Sequence, residues 1–84
     1  MKYLIESPHT KEECAREMDG ILAKGEKTLD NFYWGCSKGD HTAYAIVDAK
    51  NESEVKQLIP DFVRDKAKVI QVDKFSPDQI RSFH

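Results

Sequence analysis

The chain has 84 residues, with 13 Lys and Arg against 15 Asp and Glu, 39% hydrophobic residues and a formal net charge of −2. A chain of this length forms one small domain, residues 1–84, whose folding buries only roughly 60–65% of its surface. Because basic and acidic residues are interleaved and no apolar run approaches the roughly 20 residues that cross a bilayer, neither nucleic acid nor a membrane is expected as a partner.

Two cysteines, Cys14 and Cys36, are too few and too widely spaced for a disulfide framework or a CxxC pair. The chain starts at Met1 without an apolar signal segment. Reduced thiols and a cytoplasmic location are therefore the expectation.

The first elements are a strand and a helix. Residues 2–7 (KYLIES) predict a buried strand that Pro8 ends. Thr10 and Glu13 have the spacing of a capping box, so a helix is predicted to begin there. Its apolar stripe at helical spacing is Cys14, Met18, Ile21 and Leu22.

The middle of the chain predicts a β-hairpin. Residues 32–36 are dense in aromatic side chains, and residues 42–49 are rich in residues that fill a sheet. Residues 37–40, between them, include Gly39, which suits a tight turn.

A second helix is predicted from Asn51, which with Glu54 forms another possible capping box. Pro60 interrupts its apolar stripe, so a kink or two short helices meeting near Ile59 are expected. Residues 68–75 predict the last strand. Ser76, Pro77 and Gln79 then fit the cap, first turn and third position of a short C-terminal helix.

This order of elements predicts an α+β fold of the ferredoxin-like βαββαβ kind. Right-handed crossovers would place both helices on one face of a four-stranded antiparallel sheet. The strands carry apolar residues on both faces, for example Tyr44 and Ile46 on one and Ala45 and Val47 on the other. The face without helices therefore needs a cover, and a second copy of the sheet is the simplest one.

The run HTAYAIVDAKNESEVKQLI followed by KVIQVDKF resembles small dimeric α+β-barrel domains, including the muconolactone-isomerase-like group. The resemblance covers the second half of the chain and the opening strand. It implies a homodimer whose two sheets face each other around a cleft. It implies no particular activity, since no isomerase catalytic motif is found to carry over.

Residues of the types that bind zinc, nickel or copper come together at one end of the predicted sheet. They are His9, Cys14, Cys36 and His41. The alternative is that the cysteines pack in the core, as free cysteines often do, and that the histidines are solvated. Asp40 is a possible oxygen ligand, but Asp is also one of the residues that hairpin turns prefer.

A second candidate site is an aromatic cleft on the sheet face, lined by Tyr3, Trp34, Tyr44, Gln71 and Asp73. Aromatic side chains with a few polar groups are typical of small-molecule sites. The same residues would also serve as the core of a dimer.

The leading hypothesis is a small cytoplasmic homodimer that binds a small molecule between facing sheets, with no cofactor unless a transition metal is bound. The first alternative is metal binding through the His and Cys residues. The second is an isomerase-like or redox enzyme, for example with Cys36 as a nucleophile beside His41. Whether the protein is an enzyme is left open.

Overall fold

The computed structural model describes all residues, 1–84, and confirms an α+β architecture of four strands and five short helices. In chain order the elements are β1 (Lys2–Pro8), α1 (Cys14–Leu22), α2 (Glu26–Leu29), β2 (Phe32–Trp34), β3 (Thr42–Asp48), α3 (Glu52–Lys56), α4 (Asp61–Arg64), β4 (Lys68–Val72) and α5 (Pro77–Arg81). Single 3-10 turns lie at Lys11–Glu13 and Cys36–Lys38.

The four strands form one sheet in the order β2-β3-β1-β4, and all neighbouring strands are antiparallel, as predicted. In β1, Tyr3, Ile5 and Ser7 are buried, whereas Leu4 and Glu6 on the other face are only half-buried. This is the side-chain alternation of a strand whose two faces meet different surroundings.

The core lies against one face of the sheet. Ile21, Val55 and Val63 of the helices, with Ile59 between α3 and α4, belong to one cluster with buried residues of β1, β2 and β3. Burying side chains of this size contributes about 1.5–3 kcal/mol each, so this cluster is the main hydrophobic contribution to folding.

The first predicted helix is a 3-10 turn followed by α1. The Thr10 and Glu13 capping box is present, and Ile21 is buried as predicted. Leu22 is not part of the buried stripe, because it is 45% exposed where the helix ends. The stripe prediction missed Glu17, which is fully buried.

The second predicted helix is divided at Pro60 into α3 and α4, one of the two outcomes expected from the proline. Pro60 is extended, with φ −55° and ψ 143°, so the helical hydrogen bonds do not continue through it. Helix α2 was not predicted.

Two strands are shorter than predicted. Strand β4 ends at Val72 rather than at residue 75, and Val72 pairs with Lys2, the first residue of β1. Strand β2 ends at Trp34, and Cys36 begins the 3-10 turn that leads into β3. Helix α5 has the predicted capping box of Ser76 and Gln79 with Pro77 in its first turn.

The second face of the sheet, here called the open face, carries no covering layer. Its apolar residues are Leu4, Tyr33, Tyr44, Ile46, Ile70 and Val72. Tyr33 is 74% exposed and Ile46 is 57% exposed. Residues 73–84, here called the C-terminal arm, are exposed throughout. No helix of the protein has the length and apolar character that crossing a membrane requires.

Candidate functional site

Three buried polar residues contact one another at one end of the sheet. They are Ser7, His9 and Glu17, and they are the only polar or charged residues of the chain that are buried. Ser7 lies on the core face of β1, His9 follows that strand, and Glu17 projects from α1. An isolated buried charge costs several kcal/mol, so a buried carboxylate with a buried imidazole beside it calls for an explanation.

The backbone fixes where His9 stands. Its N–H donates to the carbonyl oxygen of His41 at 3.0 Å, which extends the pairing of β1 and β3 by one residue beyond Pro8 and Thr42. The imidazole is fully enclosed, and the ring of Trp34 lies 6.0 Å from it, centroid to centroid. His9 is therefore a structured residue of the interior and not the solvated loop residue of the alternative interpretation.

The Nδ1 side of His9 faces two acceptors. Oε1 of Glu17 is closer, at 2.8 Å, whereas the carbonyl oxygen of Ser7, at 3.3 Å, is better aligned with the ring N–H. The hydroxyl of Ser7 donates to the other carboxylate oxygen of Glu17 at 2.8 Å. Both acceptors require the ring hydrogen on Nδ1, which leaves Nε2 with a free lone pair.

The Nε2 side of His9 faces two thiols. Nε2 lies 3.0 Å from Sγ of Cys36, and the ligand atoms of His9, Cys14 and Cys36 all lie within 4.8 Å of one another. Cys14 is the first residue of α1 and Cys36 begins the turn between β2 and β3. The end of β1, the start of α1 and the more distant turn after β2 thus bring one imidazole nitrogen and two sulfur atoms together.

The protonation of the site follows from its burial. Desolvation, together with the neighbouring Cys14, raises the pKa of Cys36 to about 11. Cys36 is therefore a thiol at neutral pH. Burial is also the main cause that raises the pKa of Glu17, against the opposing effects of Ser7 and His9.

The arrangement of Cys36, His9 and Glu17 has the order of a nucleophile, a base and an orienting carboxylate. A raised thiol pKa is the opposite of what a cysteine nucleophile needs, since the thiolate is the reactive species. A cation among the three ligand atoms reverses this, because a coordinating thiol loses its proton. The geometry therefore serves a metal ligand set better than a nucleophile.

The structure brings together three of the four predicted metal-binding residues. His41 lies outside the three-atom cluster, with its ring 6.3 Å from that of His9 and its Nδ1 buried without a hydrogen-bond partner. Asp40 is exposed and accepts a hydrogen bond from the hydroxyl of Tyr44, which holds the pKa of Asp40 below its usual value. Asp40 therefore has a structural role in the turn between β2 and β3.

The predicted cleft residues do not share one surface. Tyr3 is in the core on the covered face, and Gln71 lies opposite it in the register. Trp34 packs against Phe32 and His9 on the covered side. Tyr44 faces the open side, where it lines a cavity of about 390 Å³. Asp73 follows β4 and lines a second cavity, of about 370 Å³.

Sequence reasoning missed Ser7 and Glu17. A signal for Glu17 exists, because Cys14, Glu17 and Ile21 share one face of a helix by their spacing of three and four residues. A Glu in the apolar stripe of a helix indicates either that the predicted stripe is misplaced or that the carboxylate is buried beside a partner. Nothing in the sequence distinguishes Ser7 from any other serine at the end of a strand.

Comparison of the chain with models of protein families, with curated proteins and with solved structures found no match.

Proposed function

We propose that this protein binds a transition metal ion, with Zn²⁺ as the best fit, through Nε2 of His9 and the thiolates of Cys14 and Cys36. One observation carries the proposal. A buried imidazole presents its free nitrogen to two cysteine sulfur atoms, while its other nitrogen faces a buried carboxylate and a backbone carbonyl.

The donor set fits this chemistry. Thiolate and imidazole ligands favour Zn²⁺ and other soft or borderline ions. In a tetrahedral site with bonds of about 2.0–2.3 Å the ligand atoms stand roughly 3.5–3.8 Å apart. The three atoms here, all within 4.8 Å of one another, need only small adjustments of their side-chain torsions to reach that spacing.

Glu17 fits the role of an outer-shell residue. Histidine ligands commonly donate their second ring N–H to a carboxylate or to a backbone carbonyl, which sets the tautomer and makes the coordinating nitrogen more basic. His9 has both kinds of acceptor beside Nδ1. Three protein ligands leave a fourth position for water or a small exogenous ligand.

The test is metal content. Protein produced without a histidine tag is loaded with Zn²⁺, dialysed and analysed for zinc per chain. Cobalt replacement adds a thiolate-to-metal charge-transfer band as a signature of sulfur ligation. We expect one ion per chain in the wild type, and its loss in His9→Ala and in Cys36→Ser.

The matched control is His41→Ala, which removes a neighbouring histidine outside the cluster and should retain the metal. Circular dichroism establishes that each variant is folded. Wild-type protein that holds no more zinc than folded Cys36→Ser would overturn the proposal.

A second proposal concerns the open face. The ferredoxin-like arrangement and the homodimer remain proposals from the order of elements and from the resemblance. They are supported by the exposed apolar residues of the open face and by the cavity that Tyr33 and Tyr44 line there. In such a dimer a small molecule would bind between the two sheets. The metal proposal also includes a cytoplasmic location, because both cysteines must stay reduced to bind the ion.

A further inference from the structure

We propose that the C-terminal arm of one copy packs on the open face of a second copy, so that two copies exchange their arms. The inference deepens the proposed pairing of two chains and does not depend on the metal site. It names the segment that covers the open face, which the resemblance does not supply.

The arm exposes apolar side chains that lie outside the core cluster. Phe75, Ile80 and Phe83 are large hydrophobic residues and all three are exposed. The rings of Phe75 and Phe83 meet edge to face with their centroids 5.5 Å apart, so the arm is folded on itself into one apolar cluster. Residues 73–84 are also the longest run of the chain without a buried or half-buried residue.

Helix α5 is too short to persist alone. It has five residues, and isolated helices shorter than about 12–15 residues are marginal in water. Its capping box and the proline in its first turn define where the helix starts, but they contribute only about 1 kcal/mol. Helix α5 is therefore stable only if it packs on another surface.

The exposed area of the chain agrees with one missing interface. Its accessible surface is 5943 Å², whereas a monomer of its mass, 9.7 kDa, should expose about 5,100 Å². The excess of roughly 800 Å² is what each partner of a stable complex buries. The radius of gyration, 14.6 Å, exceeds the about 12 Å expected for a domain of this length.

The open face offers a matching surface. Ile46, Leu4 and Ile70 stand side by side across three strands, and Tyr33 and Tyr44 form the next row. The arm leaves the sheet at the end of β4, next to the cavity lined by Leu4, Ile46 and Asp73. Reciprocal exchange of identical arms between two copies gives a closed two-fold pair in which both open faces are covered.

The first experiment identifies where the arm lies. A photo-crosslinking amino acid replaces Phe83, and unlabelled protein is unfolded and refolded together with ¹⁵N-labelled protein before irradiation. We expect peptides that join position 83 to β3 or β4 in pairs of mixed isotope content. Cross-links to these strands only within single-isotope pairs would mean that the arm folds back on its own chain, and would overturn the inference.

The second experiment measures association by sedimentation at micromolar concentration. We expect the full chain at twice the mass of one chain, and on the order of hundredfold weaker association for a variant lacking residues 74–84 and for Ile46→Asp. Leu22→Asp is the matched control, because Leu22 is a similarly exposed apolar residue outside the open face and should leave association unchanged.

The outcomes separate the two proposals. A truncated chain that associates as tightly as the full chain overturns the arm exchange and leaves the pairing by the open face intact. A full chain that is monomeric overturns both. Neither result bears on the zinc content of the site at His9.

Discussion

At the scale of single residues, the site depends on the proton that Glu17 and the carbonyl of Ser7 hold on Nδ1 of His9. Without these two acceptors beside Nδ1, nothing would favour the tautomer that leaves Nε2 unprotonated beside the two thiols. The same contacts offset part of the free-energy cost of burying the carboxylate of Glu17. The burial of the carboxylate, the tautomer of His9 and the position of its coordinating nitrogen therefore all depend on the contacts among Ser7, His9 and Glu17.

The first prediction concerns Glu17→Gln. The amide is nearly isosteric and can still accept a hydrogen bond from Nδ1, but it no longer makes the coordinating nitrogen more basic. We expect the zinc affinity to fall about 10–100-fold, as is usual for outer-shell partners, while the fold is retained. Competition with a chromophoric chelator measures the affinity.

The matched control for this prediction is Glu12→Gln, an exposed glutamate in the turn before α1. It removes the same charge from the same part of the chain and should leave the affinity unchanged. Equal losses in the two variants would show that only the general electrostatic field matters and that Glu17 has no special role.

The second prediction concerns pH. The raised pKa of the Cys36 thiol, about 11, means that the metal-free protein carries this proton at neutral pH and must release it when a metal binds. Zinc affinity should therefore rise at least about tenfold per pH unit between pH 6 and 8. An affinity that is constant over this interval would contradict thiolate ligation by Cys36.

At the scale of elements, Gly20 shows how α1 is seated. A Cβ at this position would lie 2.7 Å from Cγ of Pro60, a buried residue at the start of α4. In the sequence Gly20 reads only as a weak position that costs a helix about 1 kcal/mol relative to alanine. In the structure it allows α1 to approach the proline that divides the second helical region.

The third prediction follows from this contact. Gly20→Ala gains about 1 kcal/mol of helix propensity but forces apart two buried elements, and overpacking of this kind typically costs about 1–3 kcal/mol. We expect a net decrease in the free energy of unfolding, measured with urea. In a Pro60→Ala background the clash is absent, so the same substitution should be neutral or stabilising. Equal effects in both backgrounds would contradict the contact.

The elements that sequence reasoning predicted are those with strong local signals. The capping boxes at Thr10 and Ser76 and the break at Pro60 depend on residues close together in the chain, and the structure has all three. The ends of β2 and β4 depend on how much partner strand is available, which is a property of the sheet. The predicted grouping of Tyr3 with Tyr44 likewise depends on the register of the strands, which places the two side chains on opposite faces of the sheet.

The site was predictable to the same degree. The convergence of His9, Cys14 and Cys36 follows from the order of strands, which places the end of β1 beside the connection between β2 and β3. The burial of Glu17 and its contact with His9 depend on how far α1 is rotated about its axis. The spacing of Cys14, Glu17 and Ile21 on one helix face indicates that rotation, but no spacing rule identifies His9 as the partner of the carboxylate.

At the scale of the whole molecule, the proposed metal would connect the parts of a thin core. Its ligands come from the end of β1, the start of α1 and the turn before β3. The core cluster has only ten buried hydrophobic residues, so a small domain of this kind gains much from an added cross-link between segments. Binding free energy of a metal that prefers the folded state adds directly to the stability of that state.

The last prediction is therefore a zinc-dependent thermal stability. At a free zinc concentration one hundred times the dissociation constant the stabilisation is about 2.7 kcal/mol, and each kcal/mol raises the melting temperature of a domain this size by about 4–8 °C. We expect the wild type to melt roughly 10–20 °C higher with zinc than with chelator. Cys36→Ser should melt at one temperature in both conditions, whereas His41→Ala should shift like the wild type. A wild-type shift no larger than that of Cys36→Ser would mean that zinc does not bind these three segments in the folded chain.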